Sequence, residues 1–323
     1  MIKLKIFITG CAGYIGSTAT RLFLESGYSV NCVDKLLHTG KSLIPLLQFE
    51  TFNFKKVDIY NINEYEDMID SETAVIHLAA IVGEPASRKY PEETKRTNLE
   101  ATKKLIEVAQ RKQVKHFVFV STCSNYGQVK EDEYATEDYP LNPLSLYAET
   151  KVAIEEFLKN EIKDSLNWTI LRFATVYGLS PRMRFDLTVN DFTMHAIVDG
   201  KLLIYLPYSN RPYVHVLDVS RALKMVIENP ENVIHEIFNV GNTAENYRKI
   251  DIVNLIKKEI GEIEVEFVEK GNDPRDYKVS FEKIKGKLGY SVTRKVPDGI
   301  KEVVFVVKNG IISDFKSKEY YNA

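Results

Sequence analysis

The sequence predicts an α/β protein built on a doubly wound parallel sheet. Three observations carry that prediction. Apolar runs alternate with helical stretches through five successive units. One run, Phe117-Val118-Phe119-Val120, is continuously apolar, as in a strand buried on both faces of a parallel sheet. The first run feeds a glycine loop that opens a helix, an arrangement suited to a pyrophosphate.

The first strand is read from Leu4 to Ile8, the loop from Thr9 to Gly16 and the helix from there to Glu25. Gly10, Gly13 and Gly16 leave phosphates room to approach. Tyr14 and Ile15 begin the helix, whose first backbone N–H groups have no partner of their own. A second strand, Tyr28 to Val33, ends in Asp34, at the separation expected of an acid that accepts from both adenosine ribose hydroxyls and repels a 2′-phosphate. NAD is therefore expected rather than NADP, with Lys35 as a group that softens the choice. Leu36 to Leu47 reads as a loop with a short helix, and Phe52 to Val57 as a third strand ending at Asp58-Ile59. There the acid can meet the adenine amine or simply close a strand. The fourth strand, Thr73 to Leu78, ends in His77-Leu78-Ala79-Ala80, where the alanines let a ring pass close to the backbone and His77 reads as a core histidine. Pro91 to Lys112 reads as one helix, apolar at Leu99, Leu105, Ile106 and Val108, with Asn98 among charges. Lys115 to Ser121 is the fifth strand, and right-handed crossovers are expected throughout.

Chemistry enters at the turn Ser121-Thr122-Cys123-Ser124-Asn125-Tyr126-Gly127, because ligands of open parallel sheets sit at the carboxyl ends of strands. The next helix begins near Leu144 and carries Tyr147 and Lys151 four residues apart, on one face. A phenol with a reference pKa of about 10 is a poor base at neutrality, and a nearby ammonium lowers that value. With Thr122 orienting a substrate hydroxyl, Tyr147 taking its proton and NAD taking hydride, the set makes an alcohol-oxidising centre.

The remaining elements are a strand from Trp168 to Phe173, a loop Ser180-Pro181-Arg182-Met183-Arg184, and a helix through Asn190 to Val198. Then come a strand from Lys201 to Leu206, a strand end and helix from Val214 to Glu228, and a strand from Glu236 to Val240 that returns to the main sheet. A helix from Tyr247 to Ile260 and the segments Val265 to Val268, Phe281 to Leu288 and Pro297 to Asn309 complete a small lobe.

Composition sets the bounds. The 323 residues are 44% hydrophobic, enough for a sizeable core in one large domain or two modest ones. A formal net charge of -2 gives no electrostatic case for nucleic acid. No run reaches membrane-spanning length and the chain enters a strand within a few residues, so no membrane partner and a cytoplasmic location are expected. Cys11, Cys32 and Cys123 form no Cys-x-x-Cys pair and the histidines do not cluster, so neither a disulfide framework nor a metal site is expected.

At this point the chain resembles the extended short-chain dehydrogenases, specifically the NAD-dependent epimerase/dehydratase family acting on nucleotide sugars. The resemblance rests on Thr9-Gly10-x-x-Gly13-x-x-Gly16, Asp34, His77 to Ala80, Asn98, the Ser121-Thr122 turn and Tyr147-Ala148-Glu149-Thr150-Lys151. Downstream it continues through Leu171 to Gly178 and Arg211 to Val219. The resemblance implies a Rossmann domain of residues 1–178 with 212–242 returning to it, and a nucleotide-sugar lobe of residues 179–211 and 243–323. It implies NAD held by Gly10, Gly13, Tyr14, Ile15, Gly16, Asp34, Asp58, Ile59, Leu78, Ala79, Ala80, Asn98, Tyr147 and Lys151. The implied catalytic set is Thr122, Tyr147 and Lys151. A nucleotide-diphosphate sugar would meet Thr122, Cys123, Ser124, Thr175, Arg182, Arg184, Asn190, Arg211 and Arg275, with Arg211 matching the family's phosphate-binding arginine and a solvated surface role as the alternative for Arg182 and Arg184. Family 4,6-dehydratases follow the catalytic threonine with an Asp-Glu pair, whereas Cys123 and Ser124 stand here, which disfavours dehydration; Cys123 itself reads as a small buried residue, with proton transfer by its thiol as the alternative. Thr175 replaces an asparagine that touches the sugar nucleotide in many members. The family's dimer contact, made by the helices around Leu99 and Ile154, implies a homodimer. The expected activity is 4-epimerisation through a transient 4-keto sugar. The alternatives are a hexose or heptose 4-dehydrogenase that releases the ketone, epimerisation at C3 or C5, and a catalytically silent NAD-binding regulator.

Overall fold

The computed structural model describes residues 4–271 and 273–322. Its twelve strands are β1 (Lys5–Thr9), β2 (Ser29–Asp34), β3 (Phe52–Lys56), β4 (Thr73–His77), β5 (His116–Thr122), β6 (Trp168–Phe173), β7 (Thr175–Tyr177), β8 (Lys201–Tyr205), β9 (Asn210–His215), β10 (Glu236–Val240), β11 (Asn246–Arg248) and β12 (Glu264–Val268). Seven of them form the central sheet in the order β10-β6-β5-β4-β1-β2-β3, with every neighbouring pair parallel. That is the doubly wound sheet expected from the alternating runs. Its order reverses between β1 and β4, so a crevice opens at their carboxyl ends.

Alternation along the strands splits the core into two layers. Ile6, Ile8, Val30 and Cys32 face one cluster, which includes Phe23 and Val226 from the helices α1 (Tyr14–Glu25) and α7 (Val216–Glu228). Phe7, Val33 and Val75 face the other, with Leu105 and Ile106 of α4 (Thr102–Arg111) and Ile154 of α5 (Leu146–Glu156). The helices α2 (Glu84–Lys89), α3 (Pro91–Lys95), α6 (Thr188–Val198), α8 (Lys249–Ile260), α9 (Glu282–Leu288) and α10 (Val296–Lys308) complete the set. A third cluster packs Val189, Ile252 and Ile300 of α6, α8 and α10 around Leu202 and Ile204 of β8.

Several boundaries differ from the sequence reading. The helix expected over 91–112 consists of α3, a π-helical segment Arg96–Ala101 and then α4. The wide turn coincides with Asn98, whose carboxamide accepts from the Ile81 N–H (2.8 Å) and donates to the Ile81 carbonyl (2.9 Å). Tyr247 lies in β11, paired antiparallel to β9, and α8 starts only at Lys249, where Asp251 accepts the Arg248 N–H at 3.0 Å. β8 and β12 form a separate two-stranded parallel sheet, while β11, β9 and β7 form a three-stranded one.

One expectation needs correction. Cys11 and Cys32 are disulfide-bonded, with Cα atoms 6.1 Å apart, although their spacing of 21 residues suggested no pairing. The cause is register: Ile8 of β1 lies beside Cys32 of β2, so the chain just beyond β1 passes over β2. The helices around Leu99 and Ile154 put much of their apolar surface inside the chain. Leu105, Ile106, Val108 and Ile154 are buried and Leu99 packs against the same cluster, leaving Glu107 and Arg111 exposed. Among the described residues no helix is long and apolar enough to cross a membrane.

Candidate active site

The loop after β1 wraps so closely that side chains are excluded. Gly10 has φ +79°, and a Cβ there would lie 2.8 Å from the Ala79 nitrogen, while one on Gly16 would lie 2.0 Å from the Gly10 carbonyl oxygen. α1 is capped by Gly13 with no side-chain hydrogen bond, so its leading N–H groups stay available to an anion. At the end of β2, the Asp34 carboxylate accepts from the N–H of Ala12 (3.0 Å) and of Leu36 (2.7 Å), which ties the acid to the glycine loop. Burial pushes its pKa upward against those bonds. Asp58 accepts from Lys35 at 2.9 Å, and Lys35 also reaches Glu93 at 3.0 Å. Lys35 is thus engaged by two carboxylates, away from the role of a 2′-phosphate ligand. Ile59, Leu78, Ala79 and Ala80 line the same groove, and the Ala79 N–H donates to Thr9. Asn98 stands behind it, holding Ile81. His77 is buried between Thr9 (2.7 Å) and Thr102 (2.9 Å), a core role as its position suggested.

The groove continues as one cleft of about 650 Å³ across the ends of β4 and β5 to the second lobe. Side-chain-free loop, anchored acid and open helix end fit a dinucleotide.

Ser145 caps α5 through the Ala148 N–H (3.3 Å) and so aims the first turn of that helix. Tyr147 and Lys151 both line the cleft, and the Tyr147 hydroxyl is hydrogen-bonded to Thr122. Burial pushes the phenol up to about 12, against the pull of Arg184, Thr122 and Arg275. Lys151 donates to the Val120 carbonyl at 2.8 Å and lies over the Phe119 ring, and burial brings it down to about 7 with Glu155 opposing. Desolvation weakens the ammonium itself, and the cations that act on Tyr147 are the two arginines.

In the turn after β5, the Thr122 hydroxyl accepts the Ser124 N–H at 3.1 Å, and the Ser124 hydroxyl lies 3.2 Å from that of Tyr277. Cys123, placed among substrate contacts by the resemblance, instead points into the core. Its thiol faces the Arg172 carbonyl at 3.3 Å, burial raises its pKa, and it does not line the cleft. Asn190 is likewise turned inward, accepting from the Gly178 N–H (3.0 Å) and donating to the Arg184 carbonyl (2.9 Å). Thr175 lines the cleft.

Arg211 and Arg275 converge on Asp273, at 3.1 Å and 2.7 Å, and Arg211 also lies over the Tyr277 ring. Arg184 forms a fork with Asp186 at 2.8 and 2.9 Å. Arg182 is 3% exposed, and one of its terminal nitrogens donates to the Tyr321 carbonyl at 3.4 Å.

Several contributors were not singled out from the sequence. Tyr277 and Asp273 stood in the run around Arg275, where a carboxylate beside an arginine was the available signal. Lys249 lines the cleft from the start of α8, with nothing in the sequence to mark it. Glu155 and Arg172 form a wholly buried pair at 2.6 Å, with Ser121 and Asn125 also donating to Glu155. The i, i+4 step from Lys151 to Glu155 could have drawn attention to it.

The family model for the NAD dependent epimerase/dehydratase family matches residues 6–241. A UDP-glucose 4-epimerase of Lactobacillus helveticus is 29% identical over 322 residues, covering 92% of this chain and 94% of that protein. A dTDP-glucose 4,6-dehydratase of Streptomyces niveus is 28% identical over 315 residues, covering 93% and 92%. Among solved structures, the Thermus thermophilus UDP-glucose 4-epimerase in complex with NAD superposes with a TM-score of 0.81 at 25% identity, over 96% of this chain and 100% of that one.

Proposed function

The chain belongs to the NAD-dependent epimerase/dehydratase family, enzymes that work on nucleotide sugars with NAD, and we propose that within it the protein is a 4-epimerase. It oxidises the C4 hydroxyl of a nucleotide-diphosphate sugar to a ketone and reduces that ketone on its other face. The observation that carries the reading is the turn after Thr122: a core-facing thiol and a serine held by Tyr277 stand where the family's dehydratases place two carboxylates. Removing water needs an acid and a base beside the reacting carbons, and this turn offers neither.

NAD, held by the glycine loop and Asp34, supplies the hydride acceptor. Thr122 orients the C4 hydroxyl and Tyr147 receives its proton. Arg211 and Arg275 grip the diphosphate with planar forks that Asp273 keeps side by side. Burial brings Lys151 down to about 7, so its charge responds to what enters the cleft. An anionic ligand entering the cleft favours its charged form, and the ammonium then favours the phenolate. Substrate binding thereby helps to activate the base.

The test is proton NMR of UDP-, GDP-, CDP- and dTDP-sugars incubated with the enzyme and catalytic NAD in heavy water. A new 4-epimer free of deuterium is the expected result. Deuterium at C3 or C5 places epimerisation beside the ketone instead. A keto sugar that builds up only with stoichiometric NAD makes the enzyme a 4-dehydrogenase, and silence with every sugar tried favours a non-catalytic NAD-binding role.

A further inference from the structure

Of the arginines lining the cleft, Arg182 is the most buried and the least used. Its Nε has no hydrogen-bond partner among the described residues, and its bond to the Tyr321 carbonyl is long. A guanidinium carries five donors, and leaving them unmet in a buried position is costly. Its neighbours are served differently: Arg184 is paired with Asp186, and Arg211 and Arg275 with Asp273. The anionic and phenolic groups that act on Arg182 are Asp186 on its own loop, and Asp34 and Tyr14 across the cleft on the cofactor side. Arg184, two residues along, is the one that acts on Tyr147.

A pyrophosphate in the glycine loop carries two negative charges, and the loop answers them with neutral N–H groups. Lys35 is committed to Asp58 and Glu93, and Lys151 to the Tyr147 end. Among the described residues, Arg182 is then the cation left for the adenosine half of the groove. We propose that Arg182 is a cofactor ligand, its guanidinium hydrogen-bonding the NAD pyrophosphate from the loop between β7 and α6. This moves it from the substrate, where the resemblance placed it. The inference rests on NAD as the cofactor and is independent of which sugar is epimerised or whether epimerisation occurs.

The far end of the chain holds the loop in place. The Phe185 N–H donates to the Tyr320 carbonyl (3.0 Å), the Asn322 N–H donates to Asp186 (3.0 Å), and Phe185 meets Phe315 and Tyr320 edge to face. Glu319 reaches Lys41, beyond β2, at 3.0 Å. Residues 315–322 thus tie the Arg182 loop to the cofactor side of the groove.

The experiment is calorimetric titration of cofactor-stripped protein with NAD, ADP-ribose, adenosine and UDP, for the wild type, Arg182→Gln and Arg182→Lys. Loss of a charge-assisted bond weakens NAD and ADP-ribose roughly ten- to hundred-fold in Arg182→Gln. Adenosine binds as before, and Arg182→Lys recovers part of the loss. Wild-type NAD affinity in Arg182→Gln overturns the proposal. So does an equal loss for adenosine, which means a distorted cradle, or a loss confined to UDP, which returns the arginine to the substrate. Should Arg182→Gln fail to fold, Arg182→Lys alone decides: several-fold weaker binding of NAD and ADP-ribose but not of adenosine supports the assignment, and unchanged binding ends it.

Discussion

Tyr147 and Lys151 are each displaced by burial toward the form that carries no charge, one up to about 12 and the other down to about 7. Such a site trades stability for reactivity. Replacing Tyr147 with Phe removes the proton acceptor and lowers kcat by about 10²- to 10⁴-fold, while NAD affinity measured by titration stays within a few-fold of wild type. Lys151 has the sign of a depressed base: its share of stability is full above the unfolded value of 10.5 and is lost as pH falls toward 7. Lys151→Met therefore abolishes turnover yet stabilises the cofactor-stripped protein at pH 7, by about 1 kcal/mol or more, read as a raised urea midpoint. At this scale the sequence disclosed which chemical groups gather but not how they are turned. Tyr147 and Lys151 were legible because helical spacing puts them on one face. The inward turn of Asn190 was not, because it depends on Gly178 and on Tyr14, which only the fold brings beside it.

Strands buried on both faces announce themselves as unbroken apolar runs, which is why β1, β4, β5 and β6 were legible. Short strands such as β7 and β11, three residues each, carry no such run and exist because β9 pairs with them. The π-helical turn at Asn98 was equally hidden, since nothing in the local pattern of 91–112 distinguishes it from continuous helix. The Cys11–Cys32 bond joins the glycine loop to the strand that bears Asp34, a pairing visible only once β1 and β2 are in register. Closing a loop of that length contributes about 3 kcal/mol in the chain-entropy account. Chemical denaturation under oxidising conditions should show the double variant Cys11→Ala/Cys32→Ala less stable than wild type by about that amount. Reductant should close the gap, and a wild type indifferent to reductant would mean that the bond contributes nothing.

Two buried histidines are held neutral within the fold as a whole, His77 at about 3 and His116 at about 4, each lowered chiefly by burial. In the unfolded chain they take up protons near 6.5, so stability is lost as pH falls from 6.5 toward 4. His195 has the opposite sign, raised to about 9 by Asp191 and Asp199, with its contribution full below 6.5 and lost as pH rises through 9. Its side chain is 43% exposed and screened by solvent, so the buried pair dominates. Urea midpoints should drop steadily across that acid window, and His116→Gln should flatten the drop. The return of β10 to the main sheet was readable from the order of the runs, because β10 resumes the pattern that β6 leaves. That return matters while the chain is being made. β10 pairs with β6 only after residues up to 240 have left the ribosome. At roughly 5–20 residues per second, the outer edge of β6 stays unpaired for several seconds. A nascent chain paused in that interval presents a bare strand to any neighbour, and that is the stage at which a chaperone has most to protect.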